Sequence, residues 1–189
     1  MSDGSNGSGG SKVNVLVLVG SLRADSVNRQ IAEVAAENAP AEVELSIYSG
    51  LGEVPFYNED LDTADAPAQV VALRTAAAAA DAVLVVTPEY NGSIPAVLKN
   101  AIDWLSRPFG NGALRDRPLA VIGGAYGQYG GLWAHDETRK SFGIAGPRVV
   151  ESIKLSVPLK ALDGKHPREN AELVANLSDV VEKLVSEVG

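Results

Sequence analysis

The chain contains no cysteine, which excludes disulfide scaffolds, thiolate metal sites, cysteine nucleophiles and thiol–disulfide exchange. Histidine is nearly as scarce, with only His135 and His166, far apart in sequence. That excludes a histidine-rich metal centre, and a Ser-His-Asp triad would have to use one of these two. No G-x-S-x-G elbow is present for a serine hydrolase. Basic residues are outnumbered, 16 against 24 acidic ones, for a net charge of −8. Such a surface repels nucleic acid and anionic lipid, so neither is expected as a partner. Long apolar runs are missing too: Val13–Val19 falls far below the roughly 20 residues that cross a bilayer. The opening tract MSDGSNGSGGSK lacks the basic and apolar segments of a signal peptide. Residues 1–12 therefore read as a flexible Gly/Ser tail, residues 13–189 as one domain, and the cytoplasm as the expected location.

What is present alternates regularly. Val13–Val19 (VNVLVLV), Val43–Tyr48, Ala82–Thr87 (AVLVVT), Pro118–Gly123 and residues 148–157 read as strands, the aliphatic ones continuous as in a parallel sheet covered on both faces. Between them lie helical segments at about 27–38 (with Ser26 placed as N-cap), 67–80, 95–106 and 130–143, and a last one at 168–188 opened by Pro167. Around the segment 95–106, Ile94, Val97, Leu98, Ala101, Ile102 and Leu105 form one stripe that Trp104 widens, with Lys99, Asn100 and Asp103 pointing the other way. The pattern predicts an α/β fold, a doubly wound five-stranded parallel sheet of order 2-1-3-4-5. In that order ligands sit beyond the carboxyl ends of strands one and three, where the winding reverses.

The loops at those two ends are the most distinctive stretches of the chain. After strand one comes GSLRADSVNR, residues 20–29. Gly20 permits a tight turn, the following helix directs free N–H groups into the crevice, and Ser21, Arg23, Ser26 and Asn28 add hydroxyls, a guanidinium and an amide. Taken singly, Ser26 also reads as a helix cap and Arg23 as a surface arginine; four such groups within eight positions point to a phosphate cradle. Neither G-x-x-x-x-G-K-[ST] nor G-x-G-x-x-G follows a strand, which argues against ATP hydrolysis and an ordinary dinucleotide fold. After strand three, Pro88-Glu89-Tyr90-Asn91-Gly92 can present peptide edges and an aromatic wall to a flat heterocycle, or form an ordinary turn with Tyr90 in the core. The glycine-rich stretch 123–131 allows close backbone approach to a ligand, or is a mobile surface loop; His135 beyond it carries no assigned role. A phospho-receiver module would need acidic residues at the ends of strands one and three, where Gly20-Ser21 and Thr87-Pro88 stand.

GSLRADSVNR, YNEDL (57–61) and PEYNGSIPAVLKNAIDWLSRP (88–108) together resemble the NADPH-dependent FMN reductase family, whose relatives include quinone, chromate and azo-dye reductases of flavodoxin-like fold. The resemblance covers about 13–145. It implies that Ser21, Arg23, Ser26, Val27 and Asn28 bind the FMN phosphate side, that Pro88, Glu89, Tyr90, Asn91 and Gly92 line the isoalloxazine, and that backbone near Gly124 and Ala125 meets the ring or ribityl chain. It also implies NADPH or NADH as donor, a quinone, free flavin or similar small molecule as acceptor, and a homodimer or homotetramer built on the helix after Pro95. Hydride would pass to the flavin and two electrons onward in a ping-pong cycle, with no side chain required as proton donor and no metal. The chain departs from many relatives after strand four, where Gly123, Gly124 and Ala125 replace hydroxyl residues and Leu132 stands after Gly130-Gly131 in place of arginine. A flavodoxin-type electron carrier is the alternative reading.

Overall fold

The computed structural model describes residues 12–189; the Gly/Ser tract before them lies outside the described residues. Five strands, β1 (Val13–Val19), β2 (Val43–Ile47), β3 (Ala82–Val86), β4 (Pro118–Ala125) and β5 (Arg148–Pro158), form one parallel sheet of order β2-β1-β3-β4-β5. The strands alternate their side chains between two apolar layers. Val15, Val17 and Val19 of β1 join Leu84 and Val86 of β3 beneath helices α1 (Val27–Glu37) and α5 (Ala171–Ser186). Leu16 and Leu18 join Val83 and Val85 on the opposite face, under α2 (Ala68–Ala78), α3 (Ala96–Leu105) and Phe142 of α4 (Leu132–Ala145). Both faces are thus covered, which is why the central strands read as unbroken aliphatic runs. Among the described residues no helix is long and apolar enough to cross a membrane.

Several local expectations are corrected. Pro167 does not open α5: it begins a short 3₁₀ turn, Pro167–Glu169, capped by His166, whose Nδ1 accepts from Arg168 N while Glu169 accepts from His166 N. The helix starts afresh at Ala171 under its own cap, Asn170, which accepts from Leu173 N at 2.9 Å. Asn100 does not face away from the α3 stripe. It is buried, accepting from Tyr57 N and donating to Val54 O and Pro55 O, because the loop after β2 lies over α3 with backbone groups that need partners. Trp104 is fully buried in the same contact, on the stripe it was expected to widen, its Nε1 donating to Pro55 O at 2.8 Å and its ring edge-on to Tyr57.

The β4–β5 ladder is interrupted between Leu119 and Val121, whose β5 partners are Val149 and Lys154. Beside the interruption, the buried Arg139 of α4 donates from Nη2 to Val121 O at 2.8 Å and from Nη1 to Asp136.

Candidate active site

The carboxyl ends of β1, β3 and β4 meet around one buried residue, Thr87. Gly20 N donates to Val86 O, and a Cβ on Gly20 would stand 2.3 Å from Thr87 Oγ1. Gly123, at φ +147°, packs so closely that a Cβ would lie 2.2 Å from Thr87 O. Only glycine allows these three strand ends to converge, and the convergence sets the β1–α1, β3–α3 and β4–α4 loops side by side at the switch point of the sheet.

The β1–α1 loop leaves most of its polar groups open. Arg23 is exposed and in no ion pair among the described residues, and Ser21 beside it is half-buried. Together they line a cleft of about 260 Å³ with Tyr48 and Leu51. Burial, reinforced by Glu53, pushes the Tyr48 phenol up, so its hydroxyl keeps its proton. Ser26 is the N-cap of α1, its Oγ accepting from Arg29 N at 3.3 Å, with its hydroxyl hydrogen still available. The first-turn amides of Val27 and Asn28 have no hydrogen-bond acceptor among the described residues. The Asn28 side chain is also engaged within the protein. Its buried amide donates to Gly124 O at 2.9 Å and accepts from Gly124 N at 2.8 Å, which ties α1 to β4.

The β3–α3 loop is braced throughout. Tyr90 and Ser93 exchange both backbone hydrogen bonds around Asn91 and Gly92, whose φ values of 52° and 74° make a type I′ turn. Glu89 accepts from Trp133 N and Ala134 N at the start of α4, a carboxylate at the positive end of the helix. Ser93 Oγ donates to Glu137 at 2.6 Å. Beneath them lies His135, fully buried: Nε2–H donates to Thr87 O at 3.0 Å, which leaves Nδ1 to accept from Ser156 Oγ at 2.8 Å. Burial pushes this imidazole below its ordinary value, against the opposing pull of the Thr87 bond, so the ring is neutral at pH 7.

Around this floor stand exposed aromatic side chains, Tyr90, Tyr126, Tyr129 and Trp133, with the Tyr129 and Trp133 rings 5.9 Å apart. Tyr90 is thus on the rim and not in the core. Pro88 and Ala125 are buried under the turn and at the end of β4. Sequence reasoning missed His135, Trp133 and Glu137. The available signal was the spacing 135, 138, 139, 142, a helical stripe whose first three members are polar and which ends on Phe142.

The donor set fits a flavin mononucleotide. Open amides at the start of α1, a guanidinium without an ion pair and two hydroxyls suit a phosphomonoester. The type I′ turn leaves the N–H groups of Asn91 and Gly92 without an acceptor among the described residues, beside a rim of aromatic faces suited to a flat ring.

The family model for NADPH-dependent FMN reductase matches residues 13–161. A quinone reductase of Pseudomonas putida is 44% identical over 128 residues, 68% of this chain and 68% of the relative. A 2-hydroxy-1,4-benzoquinone reductase of Burkholderia sp. is 42% identical over 127 residues, 67% of this chain and 68% of the relative. Among solved structures, the flavoenzyme NAD(P)H:(acceptor) oxidoreductase FerB of Paracoccus denitrificans superposes with a TM-score of 0.82 at 33% identity, covering 93% of this chain and 97% of that one. These matches, extending past the loops that carry the motifs into the sheet that positions them, make the chain a member of the NADPH-dependent FMN reductase family.

Proposed function

We propose that residues 13–189 act as one FMN-binding unit that oxidises NAD(P)H and reduces a quinone or a similar small planar acceptor. The observation that carries this reading is the pairing, at one switch point, of an open phosphate-type loop with a rigid type I′ turn. When bound, the flavin supplies the two-electron chemistry, taking hydride from the nicotinamide and giving an electron pair to the acceptor.

Ser21, Arg23 and Ser26, with the amides of Val27 and Asn28, hold the phosphate; the Asn28 side chain and Gly124 act one step back, fixing α1 against β4. Pro88 to Gly92 and the end of β4 at Ala125 line the ring side. The N–H groups of Asn91 and Gly92 are fixed donors for negative charge that builds up at the ring edge, at no cost in reorganisation. Glu89 and His135 hold that turn in place through α4 and Thr87. In this reading donor and acceptor use the same place beside the exposed aromatic rim in turn. The chain assembles as a homodimer or homotetramer; exposed Phe109 and Ile144 beside the groove between α3 and α4 supply apolar surface for it.

The test is the absorbance spectrum of FMN-saturated protein, without oxygen, before and after NADPH or NADH. The expected result is bleaching of a protein-bound flavin band, reversed by a quinone. Bound flavin that stays oxidised with both donors contradicts the reductase reading.

A further inference from the structure

A second cleft, of about 580 Å³, opens on the other side of the phosphate loop. Its walls are Arg23 and Asp25 of that loop, Tyr126 just past β4, and the segment 159–166 after β5. Three of its lining residues are cations, Arg23, Lys160 and Lys165, in a chain of net charge −8. None of the three makes an ion pair among the described residues, whereas Arg74, Arg148 and Arg168 elsewhere sit on carboxylates.

The backbone that carries the lysines is fixed. Leu159 and Leu162 are buried in the layer shared with α1 and α5, and Leu159 packs so closely that a Cβ on Gly124 would stand 2.5 Å from it. Asp163 and Gly164, at φ 50° and 74°, turn the chain so that Lys165 N donates to Leu162 O at 2.9 Å. His166 is oriented by its cap: Nδ1 accepts from Arg168 N, so Nε2 carries a hydrogen even in the neutral ring and is left as a donor.

This lining is mixed in a way that matches a phosphorylated ribose better than a bare anion. With Arg23 committed to the flavin phosphate, Lys160, Lys165 and the His166 N–H remain to suit a second phosphomonoester, which carries between about one and a half and two negative charges at pH 7. Asp25 and Asp163, which would repel a bare anion, can accept from sugar hydroxyls, and the exposed Tyr126 ring offers a face to a base. The cleft shares Arg23 with the phosphate loop, so a ligand seated in it borders the flavin site.

We infer that this cleft receives the 2′-phosphorylated adenosine end of the nicotinamide donor, with Lys160 and Lys165 setting a preference for NADPH over NADH. The inference rests on the reductase reading above. The experiment titrates adenosine 2′,5′-bisphosphate and 5′-AMP, by calorimetry, into the FMN-saturated full chain and into its Lys160→Ala/Lys165→Ala variant. The wild-type chain is expected to bind the bisphosphate more tightly, and the variant to lose roughly tenfold or more of that affinity while 5′-AMP changes less than about twofold. In steady state, kcat/KM for NADPH falls with the bisphosphate affinity and that for NADH holds. Equal binding of the two nucleotides by the wild type, a variant that weakens both donors alike, or one whose FMN affinity falls in step would overturn the assignment. If the chain neither holds FMN nor oxidises either donor, the reductase reading fails, and the same titration on the flavin-free chain still decides the cleft.

Discussion

The two loops at the switch point are built on opposite plans. In the β1–α1 loop, the Arg23 guanidinium, the Ser21 hydroxyl and the first amides of α1 are without protein partners among the described residues. In the β3–α3 loop the groups that set its shape are engaged, Tyr90 and Ser93 with each other, Glu89 with α4, Ser93 with Glu137, and Thr87 O with His135, while the N–H groups of Asn91 and Gly92 stay open at its tip. A phosphate is recognised by donors held open for it, at the cost of their solvation, whereas a flat ring is recognised by shape, which requires a backbone that does not move. The contrast teaches that mutations in the first loop should act on binding and those in the second on stability and turnover.

The largest expected effect breaks both loops at once. Gly123→Ala places a Cβ within 2.2 Å of Thr87 O at a φ of +147°, and should cost about 3 kcal/mol or more in urea unfolding, with flavin binding lost alongside. His135→Phe comes next. It removes both the donor to Thr87 O and the acceptor for Ser156, for about 1–3 kcal/mol at pH 7. Its pH dependence has a definite sign. Because burial lowers the folded imidazole's pKa, the wild type is fully stabilised above about pH 6.5 and loses that contribution as pH falls, when only the unfolded chain takes the proton. The stability gap between wild type and variant should therefore narrow between pH 7 and pH 5. The smallest effect is Ser93→Ala. Its bond to Glu137 is at the surface, so unfolding should shift by about 0.5 kcal/mol or less, with a measurable change confined to turnover.

Much of the sheet was legible because burial on both faces writes itself as aliphatic runs, and the strand order followed from their alternation with helices. The Ser26 cap and the glycine turn at Gly92 were legible for the same local reason. What was not legible was pairing at a distance. Nothing near Asn28 in sequence says that its amide will find Gly124, 96 positions away. Asn100 turned inward because backbone carbonyls of the 54–55 loop came to rest on it, a tertiary event that a helical stripe does not encode. His135 was hidden by its own polarity, since buried stripes are sought among apolar residues. In each case the site's supporting contacts escaped a local reading, while the loops they support did not.

The division of labour between the two loops is tested most directly by comparing FMN with riboflavin as ligands of the wild-type chain and of Arg23→Ala, using quenching of flavin fluorescence. The two ligands differ only in the phosphate. The account predicts that the wild type prefers FMN, and that the variant loses roughly ten- to hundredfold of that preference with riboflavin affinity and unfolding free energy unchanged. FMN and riboflavin weakening together, or FMN affinity left intact, would contradict it.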